Sequence, residues 1–218
     1  MNGHTRPASR ELEREWWLRA LLVLQSPRPV FAALRDDSEE AAAARQEPLT
    51  AIVFLAGISI FLSTKTAAHI FDTSDPHRDL VVLVVEAIVA GALVALQNFW
   101  ILGGALYFGT RGVGGGGSYR QARHLVGLAT TPFVLSLLIV WPVRLALYGI
   151  DLFESGGSDE GAGGDIFRAI DAAFAVWALA LLVIGVRALG SWSWRRSLAA
   201  ASLAALVLFL FVALFVFL

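Results

Sequence analysis

The chain has 218 residues, 57% of them hydrophobic and only 16% charged, with a mean hydropathy of +0.67. Soluble domains carry about 25% charged residues, so an ordinary soluble enzyme and a disordered chain are both excluded. A net charge of −1 leaves no basic surplus for nucleic acid, and the lack of cysteine excludes disulfides, thiolate metal sites and cysteine nucleophiles.

The first apolar run, residues 16–24, is short and has acidic flanks, so no secretory signal is expected. Residues 11–25 read as a helix with Trp16, Trp17, Leu21, Leu22 and Leu24 on its apolar side. The Ser26-Pro-Arg-Pro step breaks it, and Ser26 with Pro27 suits the start of a new turn. Val30, Phe31 and Leu34 form a second apolar stripe before the charged run 35–40. Both segments are predicted as amphipathic helices in the cytoplasmic interface, with Trp16, Trp17 and Phe31 as anchors. Packing on the ends of a helical bundle, or on a partner protein, is the alternative.

About 20 consecutive apolar residues cross a bilayer core, and five segments qualify: 48–71, 80–108, 125–149, 166–189 and 198–218. The predicted fold is therefore all-α and polytopic: residues 1–47 form a cytoplasmic tail, and 48–218 a transmembrane domain of five helices. Basic residues set the orientation. Before the first span stand Arg6, Arg10, Arg14, Arg19, Arg28, Arg35 and Arg45. Arg111, Arg120 and Arg123 flank the second loop's glycines, and Arg187, Arg195 and Arg196 lie around the fourth. The other two loops hold only Arg78. The N-terminus is predicted cytoplasmic and the C-terminus extracytoplasmic. Lys65 is the only lysine among 17 basic residues, and with the richness in Ala, Gly and Arg this points to a high-GC bacterial genome and a plasma (inner) membrane.

The run Gly112-Val-Gly-Gly-Gly-Gly-Ser118 formally fits G-x-G-x-x-G through Gly112, Gly114 and Gly117. A dinucleotide fingerprint needs a preceding strand, and here a membrane span precedes; a phosphate-binding P-loop needs a Gly-Lys-Ser/Thr ending, which is lacking. The run is read as a tight cytoplasmic turn that delivers Tyr119 and Arg120 to the membrane surface.

Ionisable groups inside spans are expensive and are functional candidates. Lys65, Glu86, Arg144 and Asp171 qualify, with His69 and Arg168 one turn away. Counted from the predicted outer ends at 71 and 80, Lys65 and Glu86 both lie about 9 Å deep. From 149 and 166, Arg144 and Asp171 both lie about 7–8 Å deep. Two opposite-charge pairs at one depth either neutralise each other and lock helix order, or line a hydrated path. Gln97 and Asn98 in span two are expected to hydrogen-bond to a neighbouring helix. Pro132 and Pro142 are expected to kink span three. The scattered histidines, and the lack of His-Glu-x-x-His or Gly-x-Ser-x-Gly, assemble no catalytic residues, no metal site and no cofactor site.

Ser26-Pro-Arg-Pro-Val-Phe-Ala-Ala-Leu, Gly114-Gly-Gly-Gly-Ser-Tyr-Arg-Gln-Ala and Ala129-Thr-Thr-Pro132 resemble, in that order, three elements of the Yip domain family. These are the Pro-x-x-x-Phe segment before the membrane, the Gly-Ser-Tyr/Phe-Arg-Gln step into span three, and a small-residue-then-Pro element. The resemblance covers 27–218 and implies five spans, with the N-terminus in and the C-terminus out. Its eukaryotic members associate with Ypt/Rab GTPases and with each other in vesicle trafficking and membrane shaping. A non-enzymatic, membrane-organising scaffold is thus expected. Its expected partners are membrane lipids, a second copy of the chain and a cytoplasmic protein. A channel, transporter or lipid-moving protein built on the charge layer is the alternative.

Overall fold

The computed structural model describes residues 6–64, 80–149, 152 and 161–217, and among them there are helices and no strands. In chain order the helices are α1 (Arg6–Leu22), α2 (Pro27–Ala33), α3 (Glu39–Leu62), α4 (Leu80–Gln97), α5 (Gly103–Gly112), α6 (Tyr119–Ala129), α7 (Thr131–Leu135), α8 (Trp141–Tyr148), α9 (Ala162–Gly190) and α10 (Trp194–Phe217). Two π-helical turns join pieces into longer rods: Asn98–Leu102 between α4 and α5, and Ser136–Val140 between α7 and α8. Five helical rods are long and apolar enough to span a membrane: Glu39–Leu62, Val81–Gly112, Tyr119–Tyr148, Ala162–Gly190 and Trp194–Leu214. The chain is an all-helical membrane protein, as its composition requires.

The rods depart from hydropathy at their ends. α3 begins at Glu39 rather than at Pro48, and Pro48 lies inside it. Ser38 explains the early start: its Oγ accepts from Ala41 N at 3.3 Å, a local cap on the free N–H groups of the first turn. α3 also ends at Leu62, short of the expected 71. α6 begins at Tyr119 rather than at 125 because Ser118 and Gln121 form a capping box. Gln121 N donates to Ser118 Oγ at 3.0 Å, and Ser118 N donates back to Gln121 Oε1 at 2.9 Å.

The expected prolines do interrupt span three. Pro132 stands in the first turn of α7, and Pro142 in the first turn of α8. Proline cannot donate to the preceding turn, so each opens a new segment. The π turn in span two starts at Asn98, beside the polar pair noted in the sequence.

Half of span three's apolar window is buried and 44% of span one's, against 17%, 22% and 17% for spans two, four and five. Spans one and three therefore turn much of their surface to protein. The other three turn theirs outward, through side chains such as Val85, Leu93, Val176 and Phe209. Lipid tails are as apolar as leucine, so helix association inside a membrane relies on close packing and polar contacts.

The chain divides into two compact units. The first comprises Met1–Ile52, Gln97–Ala129 and Leu179–Leu218. Its core holds Val23, Phe31, Leu34, Leu106, Leu125 and Val186. Here α5 lies against α10 at glycine distance: a Cβ on Gly109 would stand 2.5 Å from the Ala200 carbonyl and 2.8 Å from Ala204 Cβ. The second unit comprises Val53–Leu96 and Thr130–Ala178. In it Phe61 and Leu83 are buried, with Leu62, Ala87, Ala90 and Val94 packed on them. A Cβ on Gly57 would stand 2.4 Å from the Gly91 carbonyl, so α3 and α4 also meet backbone to backbone.

Candidate functional site

In the first unit the short polar link between α2 and α3 is tied to the start of α6. Asp36 begins the link: its Oδ1 accepts from Ser38 N at 3.1 Å, and hydrogen bonding from the Ser38 side chain, then from its backbone, holds the carboxyl below the usual carboxylate range. Asp37 sits at the centre. Its Oδ2 accepts from Ser118 Oγ at 2.6 Å, and its Oδ1 from Arg120 Nε at 2.8 Å and Arg45 Nη2 at 3.1 Å. Burial alone would raise the Asp37 carboxyl, but the Ser118 hydroxyl and the Arg120 and Arg45 guanidinia outweigh it and hold the group below the usual range. Arg120 also donates to the Asp37 carbonyl, and through Nη1 to Glu39 Oε1 at 2.8 Å.

Arg45 is the buried member, at 2% exposure. Its three donor nitrogens are all used: Nη1 on the Asp36 carbonyl at 2.7 Å, Nη2 on Asp37, and Nε on His124 Nδ1 at 2.8 Å. A charge this deep is tolerable because it is paired and hydrogen-bonded through each of its nitrogens. Its guanidinium also lies over the Trp16 ring, 5.6 Å from the centroid. His124 accepts at Nδ1, which leaves its ring proton on Nε2, and it stacks on Phe99 at 6.3 Å.

The glycine run turns the chain between α5 and α6. α5 ends at Gly112, Gly114 has φ +82°, and Gly115 N donates to the Thr110 carbonyl at 2.8 Å. Positive φ at Gly114 is the reason for glycine there. Arg196 of α10 clasps the turn, donating to the Val113 and Gly114 carbonyls at 2.9 Å each. A cavity of about 230 Å³ lies at the turn, lined among others by Arg35, Thr110, Gly117, Gln121 and Trp192. Tyr119 donates its hydroxyl to the Trp100 carbonyl at 2.9 Å. Arg123 lies 3.9 Å from the centroid of the Trp100 ring and 4.8 Å from that of Tyr119.

Of the expected anchors, Trp16 is 4% exposed and Phe31 is fully buried, both within protein, while Trp17 is 38% exposed. On α1 the exposed apolar face runs through Trp17, Leu18, Leu21 and Leu22.

The second unit holds the described part of the charge layer. Arg144 Nη1 donates to Asp171 Oδ2 at 3.2 Å. Arg144 is 5% exposed and lies between Trp141 and Phe167, with ring centroids at 4.9 and 5.0 Å. Arg168 pairs instead with exposed Asp165, one turn away on the same helix. Glu86 is half-buried on α4. Lys65 and His69 lie outside the described residues. Among the described residues no group of three or more His, Cys, Asp or Glu gathers as a metal site would require.

Sequence reasoning singled out Arg120 and the glycines but missed Asp37, Arg45 and His124. One local signal was available, the Ser118-x-x-Gln121 box. No local signal links Asp37 to Arg120, which stand far apart in the chain.

The family model described as the Yip1 domain matches residues 21–216. No curated protein and no solved structure matches the chain.

Proposed function

The chain belongs to the Yip1 domain family, and from that premise we propose that it is a non-enzymatic organiser of a bacterial plasma membrane. The N-terminus is cytoplasmic and the C-terminus extracytoplasmic, following the arginine bias. Residues 1–47 form the working surface, and 48–218 the membrane anchor. The observation that carries this reading is the two-sided character of α1. Trp16 faces protein beside Arg45, while Trp17, Leu18, Leu21 and Leu22 are exposed. An exposed apolar helix face outside the spans is suited to the headgroup boundary, where it displaces lipid. The Asp37 network supports the reading because it holds the segment after α2 at a defined place. A second copy of the chain and a cytoplasmic protein are the partners proposed for this surface. Arg144 and Asp171 then serve as a neutralising structural pair.

Proteoliposomes of the full chain test this. Narrower vesicles than protein-free controls are expected, with the effect lost in Leu18→Ser/Leu21→Ser protein that still folds. Flux of protons, ions or labelled lipid should not exceed that of empty liposomes. Flux that Glu86→Gln/Asp171→Asn abolishes would overturn the reading in favour of a channel, transporter or lipid-moving protein.

A further inference from the structure

An open groove of about 300 Å³ lies beside the C-terminal end of α9 and the α2 segment. Arg28, Arg35 and Arg187 line it, together with Ile184, Ser191 and Trp192. No acidic side chain lines it among the described residues. Three guanidinia without a carboxylate repel one another, and an anion between them removes the repulsion.

Each arginine is held differently. Arg35 donates from Nε to the Leu189 carbonyl at 3.1 Å, and from Nη2 to the Ala188 carbonyl and, at 2.6 Å, to Ser191 Oγ. It therefore covers the negative end of α9, which would otherwise disfavour an anion. Arg187 lies over the Trp194 ring at 4.6 Å, and its Nε is buried with no hydrogen-bond partner among the described residues. Arg28 is exposed at the groove's edge.

The depth is that of a headgroup. Arg187 stands in the last turn of span four, and Arg28 and Arg35 precede span one. Trp192 lines the groove, and Trp194 beside it is 46% exposed, as interfacial tryptophans are. Guanidinium forks match phosphate oxygens, and basic pockets at the ends of spans take anionic headgroups. We propose that this groove binds a phosphate group, delivered by the headgroup of an anionic phospholipid. The proposal goes beyond the organising role and stands without it.

Native mass spectrometry of the full chain, loaded with phosphatidylglycerol or phosphatidylcholine, tests it, with inorganic phosphate as competitor. Phosphatidylglycerol should be retained in preference. Arg28→Gln/Arg187→Gln should weaken its retention about tenfold or more. The same charge loss at exposed Arg14 and Arg195, as Arg14→Gln/Arg195→Gln, should not. If the double variant fails to fold, Arg28→Gln alone alters only an exposed side chain, and should still weaken retention several-fold. Inorganic phosphate that binds and displaces the lipid would overturn the lipid source and leave a free-anion site. Equal retention of the two lipids, or retention unchanged by the arginine substitutions, would overturn the proposal altogether.

Discussion

The two compact units of this protein are stabilised by different means. The unit built from Met1–Ile52, Gln97–Ala129 and Leu179–Leu218 places a hydrogen-bonded network of Asp37, Arg45, Ser118, Arg120 and His124 inside its packing. The unit built from Val53–Leu96 and Thr130–Ala178 shares the glycine-close helix packing of the first but sets a single Arg144–Asp171 pair among aromatic rings in place of the network. In the network one carboxylate serves three partners, so its loss strands several groups at once. In the second unit the Asp171 carboxylate serves one arginine and the Ser63 hydroxyl, and aromatic faces share the arginine's charge. A polar network specifies a unique arrangement at high cost if broken, whereas small-residue packing specifies distance alone.

The sharpest test of that contrast compares two isosteric substitutions. Asp37→Asn leaves Arg45 buried with an uncompensated charge and should cost about 3–4 kcal/mol, read as a fall in thermal midpoint in detergent. Asp171→Asn should cost less, about 2 kcal/mol. A double replacement by apolar groups, Arg144→Met/Asp171→Leu, should recover most of that, because a buried pair is often no better than well-packed hydrophobic groups. Equal losses for the two single substitutions would erase the distinction between the units.

Steric substitutions come next. Gly57→Val and Gly109→Val each drive a side chain into a facing backbone carbonyl, at 2.4 and 2.5 Å from the first added carbon. Each should cost about 1–3 kcal/mol, by overpacking. Similar losses in both units would show that close packing is common to them and that the polar network is what differs. Intact midpoints would mean the helices separate freely.

Acid should act on the network. The Asp37 carboxyl is depressed in the folded protein, so its contribution is fully present above the ordinary carboxylate value of 3.8 and is lost as pH falls through its lower folded value. The thermal midpoint should therefore drop on acidification below about pH 4, and Asp37→Asn should flatten that limb. An identical acid limb in the variant would assign the effect to other carboxylates. The smallest expected effect is that of Arg35→Gln. It removes a guanidinium from the last carbonyls of α9 and should cost about 1 kcal/mol.

Hydropathy revealed the second unit far better than the first. Apolar runs predicted five spans, and prolines at 132 and 142 marked the breaks in span three. The early starts of α3 and α6 escaped it because their first two turns carry Glu39, Arg45, Arg120 and Arg123, which lower a hydropathy average. Those charges are accommodated by partners distant in sequence, as with Arg45 and His124 or Asp37 and Arg120. A window along the chain cannot register that compensation. Hydropathy gave Arg144 and Asp171 equal predicted depths on consecutive spans, and the structure joins the two by an ion pair.

Composition and its order along the chain suffice to say that the protein is helical, that five of its segments suit a membrane, and where its arginines concentrate. Each of these follows from side-chain composition summed along the chain, since backbone groups in hydrocarbon must be satisfied within a helix. Only the packing of the helices shows that Trp16 faces protein while Trp17 is exposed, that Asp37 gathers Ser118, Arg45 and Arg120, and that Arg28, Arg35 and Arg187 share one groove. Those arrangements depend on which helix faces meet, and within a membrane that is settled by close approach at glycines and by polar pairing, since apolarity is the same on every side.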